Sequence, residues 1–397
     1  MPSDLESIVR DLSTAISGYD DPSSQEGRLK RQNILRLAKQ IKDEVEEPRE
    51  RAYEYIIQMG EIPVVRVFQE WKAFDIIPEE GSISYADLAA KLNAEEALIQ
   101  RFGRLLVSTN VLKRAGKDQV AHTKFSKMFT SDNSQGAYFG VCYDCVGLPS
   151  AHWMKYFEKY GRIDPVEPTH NPHNLAWGHP EWNYWDVIDE KRQLEMNLSM
   201  QNSDQILPVR GMFPFKWIAE NAHLVADDAP LVVDVGGGRG QALQRMMEEC
   251  PAIPAERLVL QDTKMVIEDG NKQDEPGLRG VKREVIDYFK EQPSKGALIY
   301  YLRRVMHDWS DKYNVQILSH IRDAMTPESR ILITDQVIPD PPAVIATSTD
   351  VLMMQIGARE RTVDEWHNLA AKAELEVVKI WQHPSTTVGV IECKKRG

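Results

Sequence analysis

The sequence predicts an α/β protein, a Rossmann-like, doubly wound sheet domain preceded by a mostly helical winged-helix unit. Three observations carry this. Leu231 to Gly240 reads Leu-Val-Val-Asp-Val-Gly-Gly-Gly-Arg-Gly, an apolar run that ends in a carboxylate and a glycine turn, with the helix formers Gln241 to Glu249 directly behind. Similar apolar runs recur at Leu258–Asp262, Ala297–Arg303 and Arg330–Asp335, with helix-forming stretches between them. Strands of this kind, alternating with helices, make a parallel sheet buried on both faces. Ahead of them, Ser84–Leu92 and Glu95–Thr109 read as two helices, Asn93 capping the second, and Val111–Thr123 as a small hairpin. Two helices and a hairpin in that order are a winged helix-turn-helix.

The glycine turn follows the first strand, where open α/β sheets bind nucleotide-like ligands. Dinucleotide folds use Gly-x-Gly-x-x-Gly so that a pyrophosphate rests on the helix N-terminus. Here Gly236, Gly238 and Gly240 give Gly-x-Gly-x-Gly, and position 241 is Gln. Asp234, just before the turn, would repel a pyrophosphate but suits a cationic ligand with an amino group, as S-adenosylmethionine has. Asp262 ends the next strand 22 positions after Gly240, close to the offset of an acid that accepts from ribose hydroxyls. The third strand, in Val281–Phe289, closes on Asp287, Tyr288 and Phe289, an acid and two aromatics able to hold an adenine.

The fourth strand, Ala297–Arg303, leads to His307, Asp308 and Trp309. A histidine at the carboxyl end of a sheet strand is placed for general-base work. Two further acids arrive at the same edge: Asp335 at the end of Arg330–Asp335, and Glu360 before another helix.

Residues from about 195 to 392 resemble the catalytic domain of the plant and fungal small-molecule O-methyltransferases that use S-adenosylmethionine. The motifs recur in order: Val233 to Gly240, Asp262, Asp287, His307-Asp-Trp-Ser-Asp311, and Glu360-Arg-Thr362 before Asp364-Glu-Trp366. The resemblance implies His307 as the base that deprotonates a substrate hydroxyl, held by Asp335 and Glu360, and Arg303 near the adenine. It implies Met200 and Met353 against an aromatic acceptor, with Asp308 and Trp309 at the same place. Asp335 stands where Glu is more usual, and the stretch between Met353 and Glu360 is shorter than in the plant enzymes. Some fungal relatives of this fold keep the cofactor yet catalyse dehydration and pericyclic steps, and Arg210 and Arg304 are extra cations compatible with that chemistry. Winged-helix modules in the resembling enzymes serve dimerisation, which implies a homodimer. A winged-helix regulator with a vestigial ligand domain is the non-enzymatic rival.

Composition agrees. The 397 residues suffice for two or three domains, and a net charge of −12 disfavours nucleic acid or an anionic membrane as partner. Ala94-Glu-Glu-Ala opens the second helix of the winged unit with acids where phosphates would lie. No apolar run approaches a membrane span and Met1–Ser7 has no signal-peptide character, so a cytoplasmic location is expected. Four cysteines suggest a reducing compartment, and Cys142-x-x-Cys145, lacking a second pair, reads as structural rather than metal-binding. No metal is expected; His170, His173 and His179 read as a surface loop. The predicted division is a helical dimerisation extension over 1–75, the winged helix over 76–150, aromatic-rich helices lining a substrate slot over 151–200, and the cofactor-binding domain over 201–397. His152–Trp185 holds four of the nine tryptophans. The acceptor expected is a small aromatic, polyketide-like or alkaloid-like molecule.

Overall fold

The computed structural model describes residues 2–21, 24–200, 208–273 and 275–397; the predicted boundary at 201 lies outside them. The chain separates into two compact units, Met1–Ser131 and Asp132–Gly397.

In the first unit, helices Pro2–Ser17, Gln25–Val45 and Pro48–Glu70 precede the winged helix. Pro48 sits in the first turn of its helix, where a missing N–H costs nothing, and a capping box between Glu47 and Glu50 closes that end. The helix runs through Pro63, after which Val64, Val65 and Phe68 turn inward. Helices Tyr85–Leu92 and Glu96–Ser108 pack with a three-stranded sheet of β1 (Ile83–Ser84), β2 (Leu112–Gly116) and β3 (Gln119–His122), ordered β1-β3-β2. Asn93 ends the first helix instead of capping the second. Its φ of 52° is the left-handed conformation that Asn tolerates at a helix C-terminus, and Glu95 takes the cap position.

The second unit is built on β4 (Val232–Val235), β5 (Leu258–Asp262), β6 (Lys282–Val285), β7 (Ile299–Arg303), β8 (Arg330–Ile338), β9 (Arg361–Thr362), β10 (Leu375–Gln382) and β11 (Val388–Lys395). The sheet order is β10-β11-β8-β7-β4-β5-β6, with β9 beside β8. Strands β6, β5, β4, β7 and β8 are parallel, β11 runs antiparallel to β8, and β10 pairs antiparallel with β11. Alternation along the strands feeds two cores. Val233, Val235, Tyr300, Leu302 and Ile333 face helices Asp311–Ala324 and Val363–Lys372, while Val232, Leu258, Ile299 and Tyr301 face helix Gln241–Glu249 and Phe215. The order reverses between β4 and β7, and the crevice at their carboxyl ends is the switch point where such sheets bind ligands.

Helices Ser134–Cys142 and Glu190–Met200 pack against each other beside this sheet. The first continues through a π-helical turn, Tyr143–Gly147. Among the described residues, no helix is long and apolar enough to cross a membrane.

Candidate active site

The glycine turn has the conformation its sequence requires. Gly236, Gly238 and Gly240 have φ of 75°, 59° and 80°, the left-handed region open to glycine. A Cβ on Gly236 would stand 2.7 Å from the Tyr288 hydroxyl, and one on Gly237 2.4 Å from an Asp234 oxygen. Helix Gln241–Glu249 starts directly behind Gly240.

Asp234 is fully buried beneath this turn, and neither carboxylate oxygen has a hydrogen-bond partner. Burial raises its pKa to about 7 against the opposing field of Arg303. A buried carboxylate without donors is costly, and Arg303 offsets only part of that cost, through its field and without a hydrogen bond. A ligand bearing an amino group and a positive sulfur fits that deficit; one bearing a pyrophosphate does not. Asp262 accepts from the Gly238 N–H (2.8 Å) and from the Thr263 N–H (2.7 Å), which aims it at the turn. Asp287 is exposed and paired with Lys290 at 3.2 Å, while the Tyr288 hydroxyl is buried.

His307 sits on a single 3-10 turn, Met306–Asp308, just past β7 and buried to 5% exposure. Its Nδ1 lies 2.9 Å from Glu360 Oε1, leaving Nε2 as the free ring nitrogen, 3.5 Å from Asp308 Oδ1. Burial opposes charge on the ring, but the carboxylates of Glu360, Asp308 and Asp335 outweigh it and raise the pKa to about 9. Three acids around one imidazole move it upward from the ordinary histidine value. Asp335 on β8 reaches the ring only through its field. Both its oxygens are buried without hydrogen-bond partners, and burial lifts its pKa to about 7. Glu360 thus makes the direct contact and Asp335 does not.

The turn is moored by residues that sequence reasoning missed. Arg361, fully buried, donates to the carbonyls of Met306 (3.2 Å) and Trp309 (3.0 Å) and pairs with Asp311 (3.0 Å). Asn314, also fully buried, donates to the same two carbonyls at 2.6 and 2.9 Å. Arg361 adjoins Glu360 in sequence, the signal that could have found it. The Glu360 N–H donates to Asp350 Oδ1 (2.9 Å) and the Arg359 N–H to the His307 carbonyl (3.2 Å), fixing the acid's backbone.

Of the expected substrate-facing residues, Met200 ends helix Glu190–Met200 and its sulfur accepts from Arg304. Met353 is half-buried in the last turn of helix Val344–Met354, and the Trp309 ring meets Phe289 edge-on at 4.9 Å. Tyr138, on helix Ser134–Cys142, hydrogen-bonds with Cys142 and lies within the fields of Arg304 and Glu360. Arg210 is a correction. It is half-exposed and pairs with Glu248 near the far end of helix Gln241–Glu249 from the glycine turn, so it does not reach the site.

The aromatic segment is partly structural. Trp153 donates to Gln355 Oε1 (3.0 Å) and the His173 N–H to the Gln355 carbonyl (3.0 Å), tying this segment to the loop before Glu360. His173 is 3% exposed and packs edge-on against Tyr184 at 4.8 Å, so it is a core residue and the surface-loop expectation fails for it. Trp182 and Trp185 remain exposed. Cys145 Sγ contacts the Tyr184 hydroxyl at 3.0 Å, and Cys142 and Cys145 are free thiols. Among the described residues, no group of three or more His, Cys, Asp or Glu side chains is gathered for a metal.

A doubly wound sheet whose switch point combines an orphaned acid under a glycine turn with a buried His–Glu pair defines a class, the S-adenosylmethionine-dependent methyltransferases. Residues 163–375 match the O-methyltransferase domain and residues 63–132 the O-methyltransferase dimerisation domain; the chain belongs to this family and uses S-adenosylmethionine. It is 34% identical to methyltransferase cfoD of Aspergillus candidus, covering 98% of both chains. It is 37% identical to methyltransferase pvhD of Talaromyces variabilis, over 85% of this chain and 94% of the other. Among solved structures, OxaC in complex with SAH and oxaline has a TM-score of 0.86 at 24% identity, covering 99% of both chains. LepI in complex with SAM has a TM-score of 0.81 at 22% identity, covering 100% of both. The mitomycin 7-O-methyltransferase MmcR has 0.71 at 22% identity, covering 87% of this chain and 98% of that one. These three share the fold.

Proposed function

We propose that the protein methylates a phenolic or enolic hydroxyl of a small aromatic secondary metabolite, with His307 as general base. The observation that carries this is the buried His307–Glu360 contact at 2.9 Å, which commits Nδ1 and leaves Nε2 to receive a proton. When bound, S-adenosylmethionine supplies an electrophilic methyl on a cationic sulfur. Asp234 would hold its amino group, Asp262 its ribose, and the glycine turn would let the ligand lie against the backbone. His307 Nε2 takes the hydroxyl proton as the oxygen attacks; Glu360 fixes the tautomer and stabilises the imidazolium. Asp335 and Asp308 add negative potential that favours the protonated ring. Met200, Met353 and Trp309 offer apolar surface for a flat acceptor.

Relatives support an organic acceptor of this size. OxaC has been solved with oxaline and with meleagrin, and MmcR is by name a 7-O-methyltransferase. A second reading is favoured by one neighbour: a solved structure described as a pericyclic reaction enzyme matches at a TM-score of 0.82. In that reading the sulfonium acts only by its charge. The two separate on stoichiometry. Methyl-labelled cofactor incubated with phenol and enol acceptors should give labelled product and equal S-adenosylhomocysteine; product without it would leave His307 with a different role.

We also infer a homodimer formed through the N-terminal helices. Tyr53, Tyr55, Ile56 and Met59 on helix Pro48–Glu70 are 56–74% exposed, an apolar cluster larger than a lone surface residue, in a chain that carries the dimerisation domain.

A further inference from the structure

Arg304, the residue after β7, is a partly buried cation that pairs with no carboxylate among the described residues. Its φ of 58° lies in the left-handed region, unusual for a residue with a long side chain. Its N–H donates to the Thr334 carbonyl at 3.1 Å, which anchors the backbone in that conformation as the strand ends. Its guanidinium has a single side-chain partner among the described residues, the sulfur of Met200, a weak acceptor. Nε is shielded from water and has no partner, and no carboxylate among the described residues pairs with the group. What surrounds it is otherwise neutral or shared: the Tyr138 hydroxyl and the Cys142 thiol feel its field, and so does Asp308, which already faces His307. A guanidinium carries five N–H donors in a planar fork. Here Nε is shut from water without a partner and Nη1 meets only a thioether, so a planar anion would complete a fork the protein leaves weakly satisfied.

We infer that Arg304 recognises a delocalised oxyanion on the acceptor, an enolate or a carboxylate, carried on the same small molecule whose hydroxyl meets His307. Arg304 precedes His307 by three residues, and Asp308, 3.5 Å from His307 Nε2, feels the field of Arg304, which places both groups within the span of one small molecule. Three features agree. The fork matches a planar oxyanion bidentately, the left-handed backbone turns the side chain off the strand line, and Met200 supplies apolar cover that a ligand can displace without breaking an ion pair. The assignment rests on the proposed acceptor site for its location but not on methyl transfer. It makes Arg304 a specificity residue, selecting acidic acceptors over their neutral analogues.

The test uses the full-length protein saturated with S-adenosylhomocysteine and calorimetry at pH 7.5. Two probe pairs separate the two kinds of anion: 4-hydroxy-6-methyl-2-pyrone against its 4-methyl ether, and 4-hydroxybenzoate against its methyl ester. The wild type should bind the acid of at least one pair about tenfold more tightly than its neutral partner. Arg304→Asn, a neutral residue that tolerates left-handed φ, should bring that ratio to about one, with S-adenosylhomocysteine affinity unchanged. Arg304→Lys, a charge without the fork, should fall between. Equal or undetectable binding of acid and neutral forms by the wild type overturns the assignment, whatever the variants do; so does a preference that survives in Arg304→Asn. Demethylated cofactor is followed separately on the same probes. Its formation without an acid preference removes only the Arg304 assignment, whereas an acid preference without its formation removes only methyl transfer.

Discussion

Arg361 Nη1 donates to the main-chain carbonyl of Met306, 3.2 Å away, so the residue that follows Glu360 grips the residue that precedes His307. The proposed base and its orienting acid therefore come from two segments stitched together by a third contact beside their own. A 3-10 turn of three residues has little cooperativity to hold itself, and here Arg361 and Asn314 replace it by occupying the flanking carbonyls.

Arg361→Met should remove that grip while leaving cofactor residues untouched. Asp311 keeps Lys372 at 2.9 Å and the two carbonyls keep Asn314, so the loss of the buried Arg361 donors should cost about 1–3 kcal/mol of stability. In the folded fraction, kcat should fall far more than cofactor affinity. Arg361→Lys should rescue little, since one ammonium cannot reach two carbonyls and a carboxylate. Denaturant melts with single-turnover rates check both; a Lys variant with wild-type kcat would refute the mooring role.

His307→Ala should lower turnover by roughly 10²–10⁴-fold with cofactor affinity unchanged. Wild-type kcat/KM should climb with pH as the ring loses its proton, up to about pH 9. Glu360→Gln removes a carboxylate that raises this pKa, so the rising limb should move to lower pH and its plateau should drop. The sign for stability follows. A histidine pKa above its ordinary 6.5 stabilises the fold fully below 6.5 and loses that contribution as pH passes about 9. Glu360→Gln should therefore cost more stability at pH 6 than at pH 10, and the reverse order would count against the pair.

Asp234 carries the opposite linkage. An aspartate pKa raised to about 7 means stability is fully present at acid pH and declines from the ordinary value of 3.8 up to 7. Asp234→Asn should thus make the cofactor-free protein more stable at pH 8, by roughly 2–4 kcal/mol, while abolishing S-adenosylmethionine binding. Thermal unfolding at pH 5 and pH 8 decides it, because most of the gain should be lost at the lower pH.

Gly238→Val should abolish cofactor binding. The nearest chain atom to an added Cβ is Gln241 Oε1 at 3.8 Å, so no protein clash explains the loss. The causes are a φ of 59°, unfavourable to a β-branched residue, and the open space above the turn that a ligand needs. NADH should not bind the wild type. Calorimetry with tight NADH binding and none for the methyl donor would sink this account of the site.

Deleting residues 1–60 removes the exposed Tyr53, Tyr55, Ile56 and Met59 and should abolish the dimer, leaving aggregates rather than a competent monomer. Light scattering and sedimentation report it, and a soluble, fully active monomer contradicts it.

The parts of this protein written in local pattern were legible in its sequence. Consecutive apolar residues announced β4, β5, β7 and β8, and three glycines between a strand and a helix announced a turn that needs positive φ. His307 stood out because it follows a strand-like run, and Glu360 because it precedes a helix in a motif shared with the resembling enzymes. Arg361 did not, since a charged side chain in Glu-Arg-Thr reads as solvent-facing until three distant acceptors are known to converge on it. Arg210 failed for the converse reason: a cation near a sheet domain gives no sign of which end of helix Gln241–Glu249 it flanks. His173 looked like part of a polar loop because burial by Tyr184 and Trp177 is a tertiary fact. The pKa of His307 needs three acids from β8, from the loop before β9 and from its own turn, and no single stretch contains them.

The mooring of His307 belongs wholly to the sheet and its partners, Arg361, Asn314 and Glu360, whereas Tyr138, Cys142 and Met200 come from helices packed outside it. If the proposed acceptor site is right, mutations in those helices reshape what is admitted without disturbing how the proton is handled. A lineage built this way can drift from one acceptor to another through single viable steps, its chemistry kept constant while its diet changes.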